Sequence, residues 1–264
     1  MAGRDLLISF DIEADGPVPG PYSMSSVGAA AAALDDGRHL ERLDLDAGTF
    51  YAELRPISDR FVPEAMAVSG LDRDRLVAEG EDPAEVMTRC ARWVSQLGRQ
   101  HDATPVFTAY PLGFDWLFTY WYFVCFSRTG SPFGHSRHLD IKTAFSQLAG
   151  VPVTQSVKSR VPKCLLSARR HSHNALEDAQ EQGDLICNII EWARDLPPVG
   201  AERDRLGQLV RETWVGWAQQ QPSPKPSWLV PWEQLGESDR EADRLIGEQL
   251  FMAGRRGRVT QPAP

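Results

Sequence analysis

The segment Leu6–Glu13, with the sequence LLISFDIE, decides the fold. Every second residue from Leu6 to Ile12 is apolar, which is the alternation of a β-strand. Asp11 and Glu13 are two positions apart and therefore point to one face of that strand. A strand with a continuous apolar face is expected near the centre of a sheet, where acids are costly unless something compensates their charge. A divalent cation such as Mg²⁺ or Mn²⁺ would do so, and the alternative is a strand end where both acids reach water.

The segments around this strand predict a mixed α/β fold. Further strands are expected at 27–34, 40–45, 49–54 and 105–110. The first strands of the chain are expected to form a three-stranded antiparallel meander. Asp82-Pro83-Ala84-Glu85 is typical of a helix start, because it offers a cap, a proline and a first-turn acid. Other helices are expected at 114–127, 141–148 and 174–194. This order favours a sheet domain flanked by helices.

The composition changes after Pro198. We expect residues 1–198 to form the sheet domain and residues 199–264 a helical C-terminal extension with a Pro-rich linker at 222–226. Trp214, Trp217 and two further tryptophans in this extension could anchor a protein partner. The alternatives are that the extension packs on its own domain or forms a homodimer seam.

Asp115 is the single acid of a helix that is otherwise strongly apolar and is expected to be buried nearly all round. It lies in the first turn, where a favourable interaction with the helix dipole would explain it. The other interpretation is that Asp115 is a metal ligand.

His171, His173 and Asp178 surround the expected start of another helix, which Asn174 would cap. A histidine on such a loop can remove the proton of a metal-bound water, and Asp178 can supply a further carboxylate. The alternative makes both histidines and Asp178 solvated surface residues. Nothing in the sequence assigns a role to His171.

In this order, Phe10-Asp11-Ile12-Glu13, Phe114-Asp115 and His173-x4-Asp178 resemble the three motifs of the DEDDh 3′–5′ exonucleases. That family includes ribonuclease T, oligoribonuclease and polymerase proofreading subunits. The resemblance extends over roughly residues 5–190, and Ser69-Gly70-Leu71 resembles a small connecting motif of the same family. It implies a ribonuclease H-like fold, with a mixed five-stranded sheet whose first three strands are antiparallel, flanked by helices.

The resemblance also implies a site and a reaction. Asp11, Glu13, Asp115 and Asp178 would bind two divalent ions, Mg²⁺ or Mn²⁺, and His173 would be the general base. Two such ions can clamp the attacking and leaving oxygens of a phosphodiester. The expected products are nucleoside 5′-monophosphates released from the 3′ end of single-stranded RNA or DNA.

The sequence departs from the family where Thr-Gly commonly follows the first motif, because Ala14-Asp15-Gly16-Pro17 stands there. This puts the substrate preference in doubt. Tyr22 or Met24, in the loop that follows, could stack on the terminal base or simply pack. Arg169 and Arg170 are candidates for phosphate contact, although a solvated loop would also explain them. They belong to an acid-free cationic stretch, which comprises Lys158, Arg160, Lys163, Arg169 and Arg170.

The net charge of −8 argues against a protein that coats long nucleic acid. No apolar run is long enough to span a membrane, and we expect a cytoplasmic enzyme acting on RNA or short oligonucleotides. The alternative is an exonuclease-like interaction or proofreading module within a polymerase or repair assembly. A degenerate domain and a carboxylate-pair glycosidase fit less well, because all five motif residues are present in order.

Overall fold

The computed structural model describes residues 3–195 and 200–257. The strands are β1 (Arg4–Ala14), β2 (Met24–Asp35), β3 (Leu40–Arg42), β4 (Thr49–Glu53), β5 (Ala103–Ala109) and β6 (His138–Asp140). The helices are α1 (Pro63–Ser69), α2 (Arg73–Glu79), α3 (Pro83–His101), α4 (Leu112–Phe126), α5 (Ile141–Ala149), α6 (Ala175–Asp195), α7 (Gly200–Ala218) and α8 (Glu237–Gly257).

The sheet has the strand order β3-β2-β1-β5-β6, with β4 beside β3 on the same edge of β2. Strand β1 is antiparallel to β2 and parallel to β5. The expected mixed sheet with an antiparallel first part is confirmed. Six strands occur where five were expected, and the strand that the sequence did not predict is the short β6. On the other edge, β3 pairs with residues 33–35 of β2 and β4 with residues 26–30. The two therefore form one interrupted outer strand.

The alternation in β1 divides the interior into two cores. Leu6, Ile8 and Phe10 are fully buried on the face that α3 and α4 cover. Leu7 belongs to the second core, on the face covered by α5 and α6. Since Asp11 has the parity of Leu7, it points toward the α6 side at the carboxyl end of the central strand.

Strand β2 allows α6 to approach closely because its residues on that face are small. Gly28 pairs with Asp11 across the sheet, and Ala30 and Ala32 follow on the same face. A Cβ atom at Gly28 would lie 2.2 Å from the backbone of Ala175, the first residue of α6. The absence of this one carbon lets the start of α6 lie against the sheet beside Asp11.

Helix α4 is less buried than the sequence suggested. One face, including Phe118 and Tyr122, is fully buried, but Phe114, Leu117 and Val124 are 40%, 44% and 60% exposed. The expectation of a helix buried nearly all round was wrong, because α4 forms an outer layer whose second side has no covering element within its own compact unit.

The chain divides into two compact units, Met1–Ala193 and Arg194–Pro264, and the predicted boundary at Pro198 lies outside the described residues. In the second unit Arg203 of α7 pairs with Glu241 and Glu248 of α8. The rings of Trp214, Trp217 and Trp228 cluster with centroids 5.1–6.2 Å apart. A partner or a homodimer seam at this extension stays a prediction.

Within the described residues, no helix combines the length and the apolar character that crossing a membrane requires.

We expect Gly28→Ala to lower the free energy of unfolding by roughly 1–3 kcal/mol, because the added methyl group must push β2 and the start of α6 apart. Chemical denaturation measures this loss. Gly216→Ala is the control, since no atom outside its own helix lies within 4 Å of a Cβ at that position of α7. That variant should be neutral or slightly stabilising. A Gly28→Ala protein as stable as the wild type would contradict the close approach.

Candidate active site

Three carboxylates meet at the carboxyl end of β1. Asp11 and Glu13 come from the strand and Asp178 from α6, and their ligand oxygens all lie within 4.8 Å of one another. Asp11 and Asp178 are 167 residues apart in the sequence, and the packing of α6 against β2 brings them together. The structure therefore brings together three of the four acids that the motifs singled out.

Asp178 is held by the loop that precedes its helix. Asn174 caps α6 as predicted, accepting from the backbone N–H groups of Leu176 and Glu177. The Asp178 carboxylate accepts from the backbone N–H of Ser172 at 2.8 Å and from that of His173 at 3.0 Å. Because Asp178 is only 1% exposed, these bonds fix the path of the loop around a buried group.

Asp115 reaches the same end of the sheet from the first turn of α4. Its Oδ1 accepts from the backbone N–H of Ile12 at 3.0 Å, between the two acids of β1. Asp115 is 5% exposed. Its charge acts on Asp11, so the fourth acid belongs to the same electrostatic group.

The gathered carboxylates raise one another's pKa. Burial, followed by the charges of Asp115, Asp178 and Glu13, raises the pKa of Asp11 well above its ordinary value. Burial and the Asp178 charge raise the pKa of Glu13 to about 7. Burial likewise raises the pKa of Asp115 to about 7, although the N–H of Ile12 opposes this. These groups resist carrying their full charge unless a cation joins them.

Such a group of oxygen ligands fits a divalent cation. Hard ions such as Mg²⁺ and Mn²⁺ bind through carboxylate oxygens, and the charge of the ion would offset the burial and the mutual repulsion that raise the pKa values. His171 and His173 add imidazole nitrogens at the edge of this group, since their ligand atoms and that of Asp178 lie within 4.8 Å of one another. Asp11, Glu13 and Asp178, with Asp115 close by, are therefore able to hold such an ion.

The two histidines lie on the same loop, at the rim of the carboxylates. His173 is exposed and adopts a left-handed backbone conformation with φ of 58°. The Nδ1 atom of His171 lies 3.1 Å from Asp178 and 3.3 Å from Glu181. The two imidazole rings are in contact, with centroids 4.6 Å apart. His171, to which the sequence assigned no role, thus touches the site as closely as His173 does.

Two further residues of α6 face the site and were not anticipated from the sequence. Glu181 is buried beside His171, and the Gln182 amide donates to Asp11 Oδ1 at 2.7 Å. The Gln182 carbonyl accepts from the backbone N–H of Tyr110 at 2.7 Å, so this side chain joins β1, α6 and the end of β5. Helical spacing was the available signal, because positions three and four after Asp178 share its face.

The loop after β1 corrects one expected contact. Met24 is fully buried in the core and cannot stack on a base, since β2 begins at this residue and turns its side chain inward. Tyr22 is partly exposed, and its ring covers Gly16, where a Cβ would lie 2.1 Å from the ring. Contact of Tyr22 with a terminal base stays a prediction.

Arg169 is paired with acids. Its guanidinium donates two hydrogen bonds to Asp46, both at 3.0 Å, and lies 3.4 Å from Asp184. Contact of Arg169 with a phosphate stays a prediction, and in this conformation a phosphate would compete with these two acids for the guanidinium. Arg170 is exposed and has no ion pair with a residue that the structure describes, so its role stays a prediction.

Asp15, the acid in the segment that departs from the family pattern, has a structural explanation. It is fully buried, and its carboxylate accepts from the backbone N–H of Ser23 and lies 3.6 Å from Arg73. Its carbonyl accepts from the N–H of Val62 at 2.7 Å. Asp15 thus links the end of β1 to the residue that precedes α1 and to the first residue of α2.

No protein-family model matches the chain. It is 32% identical over 183 residues to the 3′–5′ DNA exonuclease Cap18 of Escherichia coli, an alignment that covers 69% of this chain and 90% of the relative. Among solved structures, cell-death related nuclease 4 (CRN-4) superimposes with a TM-score of 0.50 at 12% identity, covering 92% of this chain and 77% of that one. The nuclease domain of 3′hExo, a DEDDh family member bound to rAMP, gives a TM-score of 0.49 at 14% identity, covering 74% and 93%.

We expect the stability of the metal-free protein to fall as the pH rises from about 5 to about 7.5. Glu13 and Asp115 have a pKa of about 7 in the folded chain, above their ordinary values, so over this range the folded state binds more protons than the unfolded state. Their contribution is present at low pH and lost as the pH passes 7. Mg²⁺ or Mn²⁺ should raise the Tm clearly at pH 7.5 and little at pH 5, because protonated carboxylates bind cations poorly.

Thermal melts in EDTA and in excess metal at both pH values measure this effect. Asp11→Asn should weaken the response of the Tm to metal. Glu177→Gln removes an exposed acid from the first turn of α6, next to Asp178, and should leave this response unchanged. Equal metal-induced shifts at pH 5 and pH 7.5 would contradict the assignment of these carboxylates.

Proposed function

Because this chain belongs to the family of 3′–5′ exonucleases, we propose that it releases nucleoside 5′-monophosphates one at a time from the 3′ end of a single-stranded nucleic acid. That it is an enzyme acting on nucleic acid follows from the family. The observation that supports this proposal most strongly is the proximity of Asp11, Glu13 and Asp178. Their carboxylate oxygens lie within 4.8 Å of one another at the end of the central strand.

The carboxylates are proposed to hold two divalent ions, Mg²⁺ or Mn²⁺. When bound, such ions supply Lewis-acid chemistry at the phosphodiester and make a water molecule more acidic. Asp11 is the natural shared ligand, because its carboxylate interacts with each of the other three acids. Gln182 orients Asp11 through a hydrogen bond to Oδ1. Asp115 contributes from the opposite side, steadied by the N–H of Ile12.

His173 is proposed as the general base. Its backbone N–H donates to Asp178, which ties the residue to the carboxylates, while its exposed imidazole lies against the His171 ring at the rim of the site. The base takes a proton from the attacking water as that oxygen bonds to phosphorus. The bond from phosphorus to the 3′ oxygen of the preceding nucleotide then breaks, and that oxygen takes up a proton from solvent.

The proposed substrate is single-stranded DNA in the first place. The relative that is 32% identical is named a DNA exonuclease, which favours DNA over the slight preference for RNA that the sequence alone suggested. Tyr22, partly exposed in the loop after β1, is proposed to contact the terminal base. Arg170, exposed on the loop before α6, is proposed to contact a phosphate.

A 5′-labelled single strand should shorten progressively from its 3′ end in the presence of Mg²⁺ or Mn²⁺ and remain intact in EDTA. Asp11→Ala should lower the rate by roughly 10³-fold or more, because the shared ligand is lost. DNA and RNA of the same sequence are compared by gel, and the faster one identifies the preferred sugar. No shortening of either strand with any divalent ion would overturn the proposed function.

His173→Ala should lower kcat by roughly 10²–10⁴-fold, the usual contribution of a general base. The substitution keeps the backbone N–H that donates to Asp178, so the loop should retain its position. His135→Ala, which removes an exposed histidine from the segment before β6, is the matched control and should be as active as the wild type. A larger loss in His171→Ala than in His173→Ala would transfer the role to His171.

A further inference from the structure

The cationic stretch before α6 contains one residue that the structure holds beside the carboxylates. We propose that Lys158 is a further substrate-contacting residue, whose ammonium is held by Glu181 at the carboxylate cluster and binds a phosphate oxygen of the 3′-terminal phosphodiester. This inference rests on the proposed exonuclease function and adds to it a residue outside the three motifs.

The position of the ammonium is defined by two side chains. Lys158 Nζ is paired with Glu181 Oε2 and lies 5.8 Å from the centre of the Tyr110 ring. The side chain of Glu181 is 9% exposed and that of Lys158 27% exposed, so the pair is largely shielded yet open on one side. An ammonium in this setting keeps donors available for an incoming anion.

The backbone that carries Lys158 is also fixed. The Tyr110 hydroxyl donates to the carbonyl of Ser156 at 2.6 Å, and the Ser156 hydroxyl donates to the carbonyl of Lys142 at 2.7 Å. Tyr110 itself is joined to Gln182, the residue that orients Asp11. Lys158 therefore lies two residues after Ser156, which is connected through Tyr110 and Gln182 to Asp11.

The charge of Lys158 reaches the site. It acts to lower the pKa of Asp11 and that of Asp115, although burial, the largest effect, raises both. Because the charge of Lys158 acts on Asp11 and Asp115, a phosphate held near these carboxylates would interact with the same ammonium. A fixed positive charge in a shielded site stabilises the negative charge that develops on the phosphoryl oxygens.

Glu181 acts through Lys158 and is a positioning residue. Its Oε2 is shared between the ammonium and His171 Nδ1, which lies 3.3 Å away. Among the cations of the stretch, Arg169 is turned to Asp46 and Asp184 instead. The placement of Lys158 is thus specific and does not follow from the charge of the loop as a whole.

The test compares kcat, KM and their salt dependence for Lys158→Met, Lys158→Arg and Glu181→Gln on a short single strand in excess Mg²⁺ or Mn²⁺. Lys158→Met should lower kcat/KM by roughly 10²-fold and reduce the slope of log kcat/KM against log salt by about 0.7, the value for one lost contact to a single strand. Lys158→Arg should restore part of the rate and the slope. Lys142→Met, a lysine of α5 without an ion pair among the described residues, is the control and should change neither.

Glu181→Gln separates positioning from net charge. It makes the protein less negative, so a general charge effect would raise kcat/KM, whereas loss of positioning lowers it. The double variant should be no slower than Lys158→Met alone, because both changes remove one function. If Lys158→Met does not fold, as judged by its Tm, Lys158→Gln replaces it.

The outcomes distinguish this inference from the function on which it rests. A wild-type protein that degrades no strand with any divalent ion overturns the proposed function itself. An active wild type together with a Lys158→Met variant that matches Lys142→Met in rate and salt slope overturns the role of Lys158 alone.

Discussion

The gathering of four carboxylates in a shielded place, where burial and then mutual repulsion disfavour their charge, is the constraint on which the rest of the site depends. Asp11, Glu13, Asp115 and Asp178 are gathered at the end of a central strand, where burial alone already disfavours charge. The fold compensates with donors aimed at individual oxygens, namely the backbone N–H groups of Ile12, Ser172 and His173, the Gln182 amide and, at longer range, the Lys158 ammonium. These contacts orient the acids without neutralising them, so a strong demand for cations remains. A site of this kind is able to hold divalent cations.

The carboxylates can come together because α6 packs against small residues of β2. Gly28 lies opposite Asp11 in the register of β1 and β2, and it leaves room for the first residue of α6. Helix α6 then presents Asp178, Glu181 and Gln182 to the strand. The packing of the second core and the geometry of the site therefore both depend on the absence of a side chain at Gly28. Stability and function are coupled at this position.

Two side chains lie in surroundings that local sequence could not indicate. Met24 and Arg169 were chosen for their type and their place in the sequence, yet Met24 begins a buried strand and Arg169 is paired with Asp46 from a distant loop. Local sequence does not report such long-range partners. The exposed face of α4 was missed for a related reason, since an apolar helix has the same sequence whether one side or both sides are covered. By contrast, Asn174 and Asp82 were predicted as helix caps because capping is decided within four residues.

The sequence by itself determined the mixed α/β class of the sheet and singled out the acids and the histidine of the motifs. Alternation, caps and motif order are local or ordered properties that survive without coordinates. Only the tertiary structure decided which groups touch. It joined Gln182 to Asp11, set His171 against Asp178 and Glu181, and placed Lys158 beside Glu181. These contacts depend on how closely α6 and its preceding loop approach β1. Side-chain volumes in the packed core fix that distance, and no single segment of the sequence determines it.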